Sequence, residues 1–90
     1  MADVIAKIKI MPEGTDTDLD KLKRELTTLM PRGARLSGWG EEKIAFGLRA
    51  LIATVVVGDE EGGTQAVEDA FASVKGVQSV QVVGLGRAIV

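Results

Sequence analysis

An α+β sandwich is predicted for this 90-residue chain by two alternating apolar segments, two helical stripes and the punctuation that separates them. Val4, Ala6, Ile8 and Ile10 recur at every second position around Lys7 and Lys9, the pattern of a half-buried strand. Leu19, Leu22, Leu26, Leu29 and Met30 instead follow helical spacing, with Lys21, Lys23, Arg24 and Glu25 on the remaining surface. Thr15-Asp16-Thr17-Asp18 offers several N-cap candidates for that helix, with Thr15 and Asp18, or Thr17 and Asp20, approximating a capping box, and Pro31-Arg32-Gly33 stops it.

The β signal returns at Lys43, turns at Phe46-Gly47 and runs back from Leu48 to Val57. That second arm is almost continuously apolar, as a central strand with little solvent on either face should be. Arg35 to Gly40 is ambiguous. Leu36 and Trp39 read as the start of a long strand, whereas Gly38 and Gly40 read as a bulge, bend or loop. Gly58 to Gly63 forms an acidic loop, after which Thr64 caps a second helix with Val67, Ala70, Phe71 and Val74 inward. Gly76 ends the helix and Val77 to Leu85 supplies the last strand. The order β-α-β-β-α-β predicts a ferredoxin-like sandwich, a four-stranded antiparallel sheet with two helices on one face. Residues 1–90 are read as a single domain.

Composition removes several function classes. The chain has no His, Cys or Tyr, and no Asn occurs in it, so zinc, haem and iron–sulfur ligand sets and nucleophilic triads have no residues to build them. No cofactor or metal site is expected, and no catalytic residue. Asp16-Thr17-Asp18-Leu19-Asp20 imitates a calcium loop, but Lys21 and Thr27 stand where its Gly and Glu belong. Gly58-Asp59-Glu60-Glu61-Gly62-Gly63 holds three carboxylates and no Lys, which disfavours a phosphate cradle. Gly84-Leu85-Gly86-Arg87 follows the predicted last strand and opens no helix, so it is no dinucleotide fingerprint.

A net charge of −2 argues against direct nucleic-acid binding, and the longest apolar run, Ala50 to Val57, is too short to span a bilayer. The expectation is a cytoplasmic protein, monomeric by itself, with a protein or small molecule as partner. From the residues alone, Phe46 is either core or a contact at a turn, and Arg87 either an ordinary terminal cation or a contact. A small-molecule regulatory domain of the ACT type and, more weakly, an RNA-binding scaffold stay open.

Ile44-Ala45-Phe46-Gly47-Leu48, the loop from Gly58 to Thr64, and Ile8-Lys9-Ile10-Met11-Pro12 before an acidic helix start resemble the archaeal form of the elongation factor 1-beta family. The resemblance covers the whole chain. It implies a guanine-nucleotide exchange factor that promotes GDP release from elongation factor 1-alpha so that GTP rebinds, a partner role rather than an enzyme's. It further implies that Phe46, with Gly47, and the basic Arg87, with Leu85, contact the GTPase, the basic residue reaching toward its magnesium site. Eukaryotic members place Lys where this chain has Arg87, and Ala88-Ile89-Val90 extends beyond it.

Overall fold

The computed structural model describes residues 3–31, 33–58 and 64–88, with backbone alone for Asp3, Arg87 and Ala88. The elements are β1 (Asp3–Pro12), α1 (Leu19–Thr28), β2 (Ala34–Ala45), β3 (Leu48–Gly58), α2 (Gln65–Ala72) and β4 (Val77–Ala88). The strands form one sheet in the order β2-β3-β1-β4, with β1 antiparallel to both β3 and β4, and β2 antiparallel to β3. This is the ferredoxin-like arrangement that the element order predicts. Each helix connects two parallel strands across an intervening antiparallel one.

One face of the sheet makes the core. Ala6, Ile8 and Ile10 of β1 and Leu51, Ala53, Val55 and Val57 of β3 are buried beneath Leu22 and Leu26 of α1 and Val67 and Phe71 of α2. Alternation leaves Ile5, Lys7, Lys9, Ile52, Thr54 and Val56 on the other face, where each is exposed or half-buried. The chain's three aromatics separate: Phe71 is fully buried, Trp39 packs against the core, and Phe46 is fully exposed. The open sheet face therefore offers no ring for base stacking, which removes support from the RNA-scaffold reading.

One local choice is resolved and three local expectations require correction. Of the four candidates for the cap of α1, Asp18 takes the role, its carboxylate accepting from the Lys21 backbone N–H at 3.1 Å. Thr17 instead accepts from the Gly14 N–H at 3.3 Å, shaping the approach to the helix. Thr64 stands at the start of α2, but its hydroxyl donates to the Glu68 carboxylate at 2.9 Å and caps no backbone amide. α1 stops at Thr28, so Leu29 is exposed instead of joining the apolar stripe. Pro31 explains that stop, because its ring disfavours helical geometry at Met30.

The third correction concerns β4. It runs to Ala88, through Gly84-Leu85-Gly86-Arg87, because β1 offers partners from Lys7 back to Asp3. The ambiguous Arg35–Gly40 region belongs to β2, and both of its signals are right. The pairing with β3 slips between Leu36 and Gly38, leaving Ser37 as an extra residue. Leu36 and Trp39, three positions apart, would face opposite sides of a regular strand; the bulge puts both against the core. No helix among the described residues is long and apolar enough to cross a membrane. The acidic segment 59–63 lies outside the described residues.

Candidate functional site

The pairing of β1 with β3 ends at Ile10 and Leu51, whereas β2 and β3 continue together to Ala45 and Leu48. Residues 43–49 thus extend past the last pair of β1 with β3 as a two-stranded ribbon. A second register shift, between Lys43 and Ala45, leaves Ile44 as an extra residue and adds twist near the tip.

Phe46 and Gly47 are the two residues of the turn, with φ of +54° and +81°. Positive φ at both central positions is the type I′ pattern, whose twist matches the flanking strands. Gly adopts it without cost, but a phenylalanine in the left-handed region is strained by about 1–2 kcal/mol. Phe46 is the only described residue other than glycine with positive φ, and its side chain is 100% exposed. The ring therefore strains the backbone while covering nothing in this chain. In proteins generally, backbone strain of that kind clusters at active and binding sites. Ile44 is exposed beside it, and Lys43 and Arg49 bring cations.

The ribbon is tied down at its root. Glu41 accepts from Lys23 Nζ of α1 at 3.3 Å and from Arg49 Nη1 of β3 at 3.4 Å. Glu42 pairs with Lys9 Nζ of β1 at 3.4 Å. Neither glutamate carries a functional expectation in the sequence, since their partners lie on other elements and only the assembled sheet brings them together.

The second pair of expected contact residues sits elsewhere. Leu85 is opposite Ala6, and the backbone of Arg87 is opposite Val4, which in turn pairs with Val57. Leu48 and Val57 are nine residues apart on β3, so the Arg87 position lies roughly 30 Å along the sheet from the Phe46 turn. Phe46 with Gly47, and Leu85 with Arg87, are at opposite ends of the molecule. Leu85 is 68% exposed there, with Val83 exposed near it at a slip in the pairing of β4 with β1. The Arg87 side chain lies outside the description.

Shallow grooves flank the ribbon, one formed by Gly14, Thr15, Thr17, Leu19, Gly47 and Arg49 beneath the turn. Most of these residues are exposed or half-exposed, unlike the enclosing walls of a metabolite pocket. Among the described residues no group of three or more carboxylates converges on a metal position.

Residues 5–88 match the family model described as the EF-1 guanine nucleotide exchange domain. The chain belongs to this family. Curated relatives agree over nearly the full length. An "Elongation factor 1-beta" of Methanococcoides burtonii is 57% identical over 89 residues, 99% of this chain and 100% of the relative. One from Methanosarcina barkeri is 59% identical over 88 residues (97% and 99% of the two chains). That of Halorubrum lacusprofundi is 52% identical over 87 residues (97% and 99%). As a member of the exchange-domain family, the chain carries its exposed aromatic turn and its basic strand end on one α+β body.

Proposed function

We propose that this protein promotes GDP release from elongation factor 1-alpha so that GTP can rebind. Membership of the exchange-domain family and relatives named elongation factor 1-beta support that reading. The observation that carries it to particular atoms is the Phe46 turn. A strained, wholly exposed ring at the end of a ribbon has the character of an interface anchor, where aromatics dominate binding energy.

The action is coupled binding without covalent chemistry. The nucleotide in a GTPase is held by contacts to its phosphates and by a bridging Mg²⁺. Phe46 and Gly47 engage the GTPase at one point, while Leu85 seats the far end and Arg87 directs positive charge at the magnesium site. A guanidinium there competes for the anionic ligands that hold the metal and deforms the phosphate-binding loop. By linkage, the factor by which the protein weakens nucleotide binding is the factor by which nucleotide weakens the protein's own binding. Incoming GTP, when more abundant, then displaces the protein, which returns to another GDP-bound copy.

The test is release of a fluorescent GDP analogue from elongation factor 1-alpha, with this protein present in substoichiometric amounts. Saturable acceleration with turnover is expected. No acceleration, with a folded protein and a competent GTPase, would remove the reading and leave metabolite binding as the next hypothesis to test.

A further inference from the structure

The consecutive acids Glu41-Glu42 sit where the ribbon leaves the body of the sheet. Being neighbours on a strand, they project to opposite faces. Glu41 meets Lys23 of the helix layer and Arg49 of the adjoining strand, and Glu42 meets Lys9 of β1 across the open face. Each face of the ribbon's root is thus tied to a different part of the molecule. Beyond it, residues 43–49 form strand pairs only with one another, with Thr15 and Thr17 lying beside Gly47 and Arg49, and a two-stranded ribbon alone is marginally stable. The ring it carries is held in a strained turn and packs against nothing in this chain.

We propose that Glu41 and Glu42 are positioning residues that clamp the root of the ribbon and fix the direction in which Phe46 is presented to the GTPase. This rests on the exchange reading above, since the clamp is useful only if Phe46 has a partner. The lever arm sets the scale. Four residues separate Glu42 from Phe46, about 13 Å of strand, so a swing of about 15° at the root moves the ring about 3 Å. Contact groups need to be held within about 0.5 Å and 10–20° of their productive pose. Exposed ion pairs add little to global stability. Here their effect is to remove orientations of the arm, so that fewer must be lost on binding.

The test uses the full chain with E41Q and E42Q combined. Backbone order parameters of residues 43–48 are measured by ¹⁵N relaxation in the free protein, alongside GDP-release kinetics and thermal unfolding. The expected result is near-unchanged unfolding, tip order parameters falling from about 0.85 toward 0.6, and kcat/KM for exchange lowered on the order of 10-fold through the half-saturating concentration. Introduced into F46A, the same two changes should alter exchange less than about twofold, because the clamp acts through the ring. Pairing K9E with E42K should recover most of what E42K alone loses. Unchanged order parameters, or a loss that adds fully to that of F46A, overturns the proposal. If the unaltered protein releases no GDP, the exchange reading fails, and the order parameters still decide whether the clamp exists.

Discussion

Two phenylalanines show how differently one residue type is used here. Phe71 is fully buried between α2 and the sheet, and F71A should cost about 3–5 kcal/mol, a large part of the net stability of a domain this size. Phe46 is fully exposed at φ +54°, so its removal takes nothing from the core. F46N, which places the favoured Asn-Gly pair in the type I′ turn, should therefore raise stability by about 1 kcal/mol, or roughly 4–8 °C in Tm. The same change should lower GDP-release activity at least about 10-fold, in keeping with loss of an interface anchor. Calorimetry and exchange kinetics on one preparation check both halves. A variant that is destabilised, or that keeps full activity, contradicts this account of the ring. The sequence already marked Phe46 by its place before Gly47 but left core and contact unresolved. Only the tertiary structure, in which the ring is fully exposed, removed the core reading.

Among the elements, β2 shows the limit of local pattern most clearly. Its glycines and its apolar residues gave opposing signals, and a single extra residue reconciles them by resetting the face on which Trp39 lies. Deleting Ser37 should force either Leu36 or Trp39 out of the core and cost at least about 2 kcal/mol. A lowered denaturant midpoint with an unchanged slope would report this. A midpoint equal to that of the parent would mean that the bulge is dispensable. β4 fails in the opposite direction. Gly84 and Gly86 weaken any strand signal, yet β1 carries the pairing on to Ala88. The helices read more easily, because their apolar stripes are self-contained. Their caps did not, since Asp18 and the neighbouring threonines are interchangeable by residue type and differ only in geometry.

At the scale of the whole molecule, the sheet separates the two expected contact points by roughly 30 Å. That separation predicts independence. F46A and R87A should each reduce exchange, and their effects should add in free energy within about 0.5 kcal/mol, as for distant sites without shared partners. R87K, which keeps the charge but loses the planar fork, should fall between R87A and the parent. Strong coupling in this double-mutant cycle would mean that both residues bear on one spot of the GTPase. The element order, the helix-covered side of β1, and the exclusion of His- and Cys-based chemistry were determined by the sequence alone, because periodicity and residue type act locally. Where β2 bulges, how far β4 continues, which cations meet Glu41 and Glu42, and which ends of the sheet carry Phe46 and Arg87 were decided only by the tertiary structure. Each of these depends on pairing between strands far apart in sequence, and the register of that pairing is set by the shared core and not by any one segment.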